Sequence, residues 1–239
     1  MAAAEASRSP VIELTFEACE LARAAISFAA EALASGSAEA VRRIRESEER
    51  LDEIDREVDQ FVGNGVLEAA PSQVRELLAS LKIVTDLERI SDLAAALAAH
   101  MEEVRDRLDM PDRADLIRMA TIVEKMLADF VKAYSTRDTE CALGILRADV
   151  EVDRLRNLIL LRRMDGVSDS SGSQGLQIVL MAQSLERAAD HCKNLAEEVC
   201  HLTTGHSVRH LARSRQQPTE QLFLKHLRHE LRNRMPEYT

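Results

Sequence analysis

The chain has 239 residues, of which 46% are apolar and only 3% aromatic, and its formal net charge is −10. This charge argues against a general nucleic-acid binder, because neutralising phosphates requires clustered Lys and Arg. Glycine (8) and proline (5) are scarce, which favours long helices over sheets, whose turns use both residues. We expect a core of Ala, Leu, Ile and Val.

The N-terminal segment "MAAAEASRSPVIEL" has no basic region followed by an apolar stretch, so we expect no secretory signal peptide. No segment approaches the ~20 consecutive apolar residues that a membrane-spanning helix needs. The four cysteines, Cys19, Cys141, Cys192 and Cys200, include no CxxC pair. Reduced thiols in a cytoplasmic protein are the simplest interpretation.

Three periodic stretches make up the first half of the chain. Apolar residues recur at spacings of three and four, and the stretches are separated by "SGS" at 35–37 and "GNG" at 63–65. Pro71 opens the third stretch. The predicted helices cover residues 11–34, 38–62 and 71–108.

The second half repeats this scheme after Pro111. A short break at "TRD" (136–138) separates two periodic stretches, and "DGVSDSSGSQG" (165–175) is the most loop-like segment of the chain. A further helical stretch follows and ends at about Thr204. The predicted helices therefore cover residues 112–136 and 138–164, and then the stretch from the end of that loop to about 204.

Two segments repeat at one offset of 98 residues. "LKIVTDLERISDLAAALA" (81–98) is matched by "IVLMAQSLERAADHCKNLA" (178–196), and the triplet "EID" at 53–55 returns as "EVD" one helix before the second copy. Two matches at one offset on corresponding helices indicate a duplication. We therefore predict an all-α fold of two tandem, pseudo-symmetric up-down-up three-helix bundles, residues 11–108 and 112–204.

Residues 205–239 differ from the rest of the chain. They contain seven Lys and Arg against three Asp and Glu, whereas the preceding residues hold 24 basic and 38 acidic side chains. Residues 219–234 are amphipathic and predict a short C-terminal helix. Three alternatives stand for this basic tail: folding back on the acidic helices, peripheral contact with an anionic membrane, or docking on a partner. We predict that it docks on a bundle or on a second subunit.

Acidic pairs mark the repeated helices. Glu88 and Asp92 are four apart and share one helix face, and Glu186 and Asp190 repeat the pair, with Lys193 predicting a wetter setting for the second. The neighbouring helices offer further acids: Asp55, Asp59, Asp149 and Asp153. Carboxylates that face one another across two helices are ligands for a hard or borderline cation. A solvated acidic face paired with arginine is the alternative.

The sequence offers little support for an enzyme. Di-iron carboxylate bundles use two ExxH pairs, but this chain has one, Glu198 and His201, and its repeat counterpart at 100–103 reads "HMEE". We find no P-loop, GxSxG motif or nucleophile triad. His191 is interpreted as a polar flank of Asp190, and two cysteines as small core residues, Cys192 and Cys200.

The segments "KIVTDLERISDLA" and "SLERAADHCKNLAEEV" resemble the signature helices of the PhoU family of phosphate-signalling proteins. The resemblance covers about residues 11–204 as two successive repeats. It implies E(D)xxxD motifs that bind multinuclear iron or zinc clusters. Carried over by motif, and with Asp55 added as the counterpart of Asp153, the implied metal ligands are Asp55, Glu88, Asp92, Asp149, Asp153, Glu186 and Asp190.

The chain departs from the family pattern at three positions. Ser91 and Ala189 stand where the family often has Gly before the second acid, so we expect a narrower site. Leu51 occupies the position that matches Asp149. We therefore expect the first cluster to be weaker, or to use Asp52 or Asp59.

The resemblance also implies a function. It points to a non-enzymatic, cytoplasmic regulator that acts with a phosphate ABC transporter and a sensor histidine kinase to repress phosphate-starvation genes, as a homodimer and without nucleic acid. Three alternatives stay open: a metal-storage or redox bundle, an accessory protein of another phosphate carrier, and a structural scaffold whose acids face solvent.

Overall fold

The computed structural model describes residues 9–104, 108–165 and 172–204. Within these ranges it consists of six helices and no strand, so the predicted all-α fold is confirmed. The basic tail, including the helix predicted at 219–234, lies outside the described residues. The helices are α1 (Pro10–Ser35), α2 (Ala38–Gly65), α3 (Pro71–Val104), α4 (Met110–Thr136), α5 (Thr139–Asp165) and α6 (Gly172–Thr204).

Local capping explains several helix ends. α1 ends where Gly36 adopts φ 69° and donates its backbone N–H to the Ala32 carbonyl at 2.8 Å, a conformation that glycine adopts without steric cost. The Ser37 hydroxyl then accepts the Ala40 amide at 3.1 Å and begins α2. Asp109 accepts the Asp112 amide at the start of α4 in the same way.

Two helix ends predicted from the sequence are wrong. α2 runs through "GNG" to Gly65, because both glycines keep helical angles, and a helical glycine costs only roughly 1 kcal/mol. The predicted loop at 165–175 is shorter, since α5 includes Asp165 and α6 begins at Gly172.

The three helices of each half pack against one another and form two bundles, α1–α2–α3 and α4–α5–α6. Two further contacts join the bundles, α1 with α4 and α3 with α6. α3 and α6 run antiparallel, since Lys82 contacts Glu198 at one end and His100 contacts Gln177 near the other. The same pair of helices from each repeat therefore meets at the joint, as a duplicated chain with pseudo-twofold symmetry requires. The exact repeat boundaries stay a prediction.

The core is built from small aliphatic side chains, as the composition predicts. Four alanines along α1 are fully buried: Ala18, Ala22, Ala25 and Ala29. Such small residues let neighbouring helices approach closely. Three aromatic rings meet where α1 packs against α4, with Phe16 5.3 Å and Phe130 5.8 Å from Tyr134 between ring centroids. This packing supplies the apolar burial that holds the bundles together.

α2 packs against α1 and α3, and α5 packs against α4 and α6. The carboxylates of the repeated motif therefore lie along two separate junctions. We call the α2–α3 junction the first seam and the α5–α6 junction the second seam. Among the helices that the structure describes, none is long and apolar enough to cross a membrane.

Candidate metal centre

Five carboxylates line the first seam, three from α2 and two from α3: Glu48, Asp52, Asp55, Glu88 and Asp92. Residues four apart on a helix lie one above the other, so α2 presents Glu48 and Asp52 together, as α3 presents its own pair. Oxygens of Glu48, Asp52 and Asp92 all come within 4.8 Å of one another. Glu88 lies close enough for the charges of Asp92, Asp55 and Asp52 to raise its pKa.

Three carboxyl groups of the first seam have raised pKa values: Glu88, Asp55 and Glu48. Burial raises the pKa of Glu88 to about 7, and Asp92 adds to the rise while Arg89 opposes it. Burial also raises the pKa of Asp55, with Asp59 as the next cause, and the pKa of Glu48, with Asp52 as the next cause. Desolvation and like charge act in the same direction here, so a cation that entered the seam would be strongly attracted.

The basic groups of the first seam are peripheral. Arg89 lies 3.3 Å from Glu88 and 3.2 Å from Asp92, and its side chain is 55% exposed. Arg56 lies 3.3 Å from Asp52 and is 68% exposed. Two solvent-facing guanidinium groups therefore oppose five carboxylates. Such exposed pairs contribute little to stability, and a metal ion could displace either arginine into water.

The oxygen-only ligand set of the first seam suits a hard or borderline cation. The residues present therefore fit the metal that the sequence predicts, although binding itself stays a prediction. Sequence reasoning missed Glu48. Its spacing to Asp52 repeats the spacing of Glu88 to Asp92, and this second ExxxD was a signal that could have revealed it. Asp59, an alternative ligand, is exposed and acts on the pKa of Asp55.

The second seam holds its own cations. Lys193 Nζ lies 2.7 Å from Asp149 Oδ2 across the seam and 2.5 Å from Asp190 Oδ1 on its own helix. Arg156 donates to Glu186 at 3.3 Å, and Gln183 donates to the other Glu186 oxygen at 2.6 Å. Lys193 is therefore a partly buried ion-pair partner of two carboxylates. The sequence had predicted only that it makes the surroundings of Glu186 and Asp190 more hydrated.

Asp149 is a largely buried carboxylate whose negative charge Lys193 neutralises. Its side chain is only 9% exposed, and burial raises its pKa, although the hydrogen bond from Lys193 opposes the rise. Asp153 and Asp190 raise that pKa further. At the matching position of the first repeat, Leu51 is fully buried in the core, so the acid at 149 is an addition specific to the second repeat.

The remaining polar candidates are structural contacts. Glu198 and His201 lie 3.4 Å apart, but Lys82 of α3 also lies 3.3 Å from Glu198, which makes this a contact between the repeats. His191 is more than a flank of Asp190, because its Nδ1 lies 2.8 Å from Asp86 on α3. Cys192 and Cys200 are buried in the core, as predicted, and burial raises the pKa of both thiols.

The family position that precedes the second acid is also buried. Ser91 and Ala189 are 1% and 0% exposed, so both side chains face the packed interior of their bundles. The Ser91 hydroxyl finds no hydrogen-bond partner among the described residues. That either side chain narrows a metal site stays a prediction.

Comparison with known proteins gives the family. The model of the PhoU domain matches the chain twice, over residues 16–101 and 116–199. The chain belongs to the PhoU family. Both matches contain one copy of the acidic motif, so the resemblance seen in the sequence is confirmed. The PhoU family is a family of non-catalytic accessory and regulatory proteins, which agrees with the expectation that this member is not an enzyme.

Curated relatives carry the same name. The chain is similar to the phosphate-specific transport system accessory protein PhoU homolog 1 of Thermotoga maritima, with 29% identity over 72% of this chain and 76% of that protein. It is also similar to the PhoU homolog of Pseudomonas aeruginosa, with 28% identity over 78% of this chain and 79% of that protein. These alignments span both repeats.

Solved structures agree with the fold. The crystal structure of PhoU from Pseudomonas aeruginosa superposes with a TM-score of 0.75 at 25% identity, covering 82% of this chain and 96% of that one. PhoU from Streptococcus pneumoniae, described as a phosphate transport system regulatory protein, gives a TM-score of 0.74 at 22% identity, with the same coverage of both chains. The second likeness supports the fold alone.

Proposed function

We propose that this PhoU family member is an accessory regulator of phosphate uptake. The observation that carries this proposal is the double match of the family model, which covers both bundles. It is supported by relatives of similar length that are named as accessory proteins of the phosphate-specific transport system. The fold likeness over nearly the whole Pseudomonas aeruginosa PhoU chain points the same way.

In its finer form, the proposal makes the chain a cytoplasmic adaptor between a phosphate ABC transporter and a sensor histidine kinase. It acts when phosphate is plentiful and represses the genes of phosphate starvation, as a homodimer. Two long antiparallel bundles offer several exposed helix faces for such partners. No chemistry is required of the chain in this role, since its contribution is binding.

Association with the transporter tests the adaptor role. The full chain, carrying an affinity tag, is recovered from detergent-solubilised membranes of cells grown in high phosphate. We expect the ATP-binding and permease subunits of the phosphate transporter to be recovered with it, and the kinase to be recovered after cross-linking. Recovery of neither, while a tagged transporter subunit brings down its own complex, contradicts the adaptor role.

We further propose that the chain binds iron or zinc through its acidic motif as part of its regulatory state. Support comes from the oxygen cluster of Glu48, Asp52 and Asp92 and from the raised pKa of Glu88. When bound, the metal would supply positive charge that neutralises the seam and ties α2 to α3. The chain's own residues position the oxygen ligands for it.

Metal retention tests this second proposal. Protein loaded with excess iron or zinc and then desalted should retain metal, whereas a variant with four alanines should retain none and keep its helical circular dichroism. Those four substitutions are Glu88→Ala, Asp92→Ala, Glu186→Ala and Asp190→Ala. Glu31→Ala, at an exposed position on α1, is the control. If the wild-type chain retains no metal, the seams are anionic patches only.

A further inference from the structure

The two seams differ in where their positive charge comes from. In the second seam, a lysine ammonium lies within 2.7 Å of Asp149 and within 2.5 Å of Asp190. It therefore contacts one carboxylate on each side of the α5–α6 junction. Arg156, on α5, forms an ion pair with Glu186, on α6, at 3.3 Å.

The first seam lacks these cations at the corresponding positions. At the offset of 98 residues, Lys193 corresponds to Ala95 and Arg156 corresponds to Val58. Neither can carry charge. Its arginines lie on the solvent side, more than half exposed, whereas the side chains of Lys193 and Arg156 are 31% and 28% exposed.

The ligand sets differ as well. The first-seam acids Glu48 and Asp52 correspond to Leu146 and Val150 in the second repeat. Among the described residues, the first seam alone brings three acidic side chains within 4.8 Å of one another. The second seam therefore has fewer carboxylates and a cation already bound to two of them. The metal that the family resemblance implies does not fit there.

A metal ion entering the second seam would have to expel that ammonium. Expulsion breaks two charge-assisted contacts and leaves a lysine stem on the junction without a partner, while the incoming ion must also lose its own water. We infer that Lys193 and Arg156 take the place of the metal in the second repeat, so that the chain binds metal at its first seam alone. The second half of this inference rests on the metal binding proposed above.

A pair of reciprocal variants tests the inference with zinc as the probe and desalted metal content as the readout. Ala95→Lys places the lysine of the second repeat into the first seam, one turn from Asp92. We expect it to reduce zinc binding at least tenfold, and Ala95→Gln, which adds length without charge, to leave binding within twofold. The double variant Lys193→Ala, Arg156→Ala should gain zinc at the second seam and lose that gain when Asp190→Ala is added.

The double variant leaves Asp149 without its cation, so its folding needs a second readout. Zinc should raise the melting temperature of the double variant by several degrees more than it raises that of the double variant with Asp190→Ala. A double variant that neither gains zinc nor is stabilised by it overturns the inference. A second outcome also overturns it. In that outcome, the variant with Glu88→Ala and Asp92→Ala retains about half of the zinc that the wild type binds, and the rest is lost only when Glu186→Ala and Asp190→Ala are added.

The failure of the proposed metal function is distinguishable from this outcome. If the wild-type chain retains no zinc at all, metal binding at the first seam is wrong. In that case the variant with Lys193→Ala and Arg156→Ala still tests whether these two side chains take the place of a metal. A gain of zinc at the second seam supports that role, and the absence of a gain overturns it.

Discussion

His191 Nδ1 lies 2.8 Å from Asp86 Oδ1, and this contact ties α6 of the second repeat to α3 of the first. Asn194 donates to the same oxygen at 3.1 Å. The His191 and Asp86 side chains are only 21% and 15% exposed, so the acceptor oxygen serves two donors in a largely dry joint. The position matching His191 in the first repeat is Leu93, so this polar link is not repeated across the joint.

Removing the shared acceptor should loosen the joint between the repeats. Asp86→Ala leaves two partly buried donors unmet, and we expect it to lower the free energy of unfolding by about 1–2 kcal/mol. Urea denaturation followed by circular dichroism measures this. A double-mutant cycle with His191→Ala should give a coupling of at least about 0.5 kcal/mol. Strictly additive effects would show that the contact contributes nothing.

A buried acid should anchor the start of the second bundle. Asp112 on α4 is fully buried and accepts from Arg162 at 2.8 Å and from Arg163 at 2.5 Å, both on α5. Asp112→Ala would remove the buried acceptor that both guanidinium groups share, while Arg162 keeps Asp115 and Arg163 keeps Asp109. We therefore expect a loss of about 2–3 kcal/mol, below the value for a fully buried pair, because both arginines reach solvent and keep a second partner.

The matched control for this anchor is Asp115→Asn. Asp115 pairs with Arg162 at 2.5 Å and is 22% exposed, so its loss should cost less than about 1 kcal/mol. Equal melting temperatures for the Asp112 and Asp115 variants would contradict the anchoring role.

The fold was accessible from sequence because its signals are local and duplicated. Proline and glycine marked most helix ends, and the offset of 98 residues identified two equivalent bundles. The ends that failed, at Gly65 and Gly172, depend on whether glycine takes helical angles, and composition does not decide that. The register between α2 and α3 is also invisible in sequence, which is why Glu48 was missed.

The character of the second seam was harder to predict than its location. The motif located Glu186 and Asp190, since spacing alone places them on one face. That Lys193 reaches across to Asp149 depends on the packing of α5 on α6 and on the rotamer of a long side chain. A residue that looks like a solvated flank in sequence thus becomes the central cation of its seam.

Glu88 should make the stability of the metal-free chain fall as pH rises. Burial raises its pKa from 4.5 to about 7 in the folded chain, so between these values the folded state holds a proton that the unfolded state has released. This contribution is fully present below pH 4.5 and is lost as pH rises through about 7. Glu88→Gln should therefore match the wild type near pH 5 and exceed its stability at pH 8.

Thermal melting in the presence of a chelator measures this pH dependence. Glu31→Gln, an exposed position on α1, is the control and should not alter the difference between pH 5 and pH 8. A Glu88→Gln variant whose advantage is the same at both pH values would show that Glu88 carries no shifted ionisation.

The basic tail should contribute stability that depends on salt. A groove between the start of α1 and the end of α2 carries Glu13, Glu17 and Glu57 beside the exposed Phe61, and Arg50 pairs with two of these acids, Glu17 and Glu57. We expect residues 205–239 to dock on this acidic, partly apolar surface. Removing residues 206–239 should lower the melting temperature or the dimer content, by an amount that shrinks as salt is raised.

Charge reversal in the groove separates a specific contact from a general charge effect. Glu13→Lys should lower the melting temperature of the full-length chain more than that of the truncated one, in which only the favourable charge of Glu13 in the first turn of α1 is lost. Unchanged melting and unchanged oligomer size after truncation would contradict docking of the tail.

The role in phosphate regulation is tested most directly by deleting the gene and measuring a phosphate-starvation reporter in phosphate-rich medium. We predict that the reporter is expressed strongly in the deletion strain, that the wild-type chain silences it again, and that the chain with Glu88→Ala and Asp92→Ala restores silencing only in part. A reporter that stays silent in phosphate-rich medium after the deletion would contradict the account.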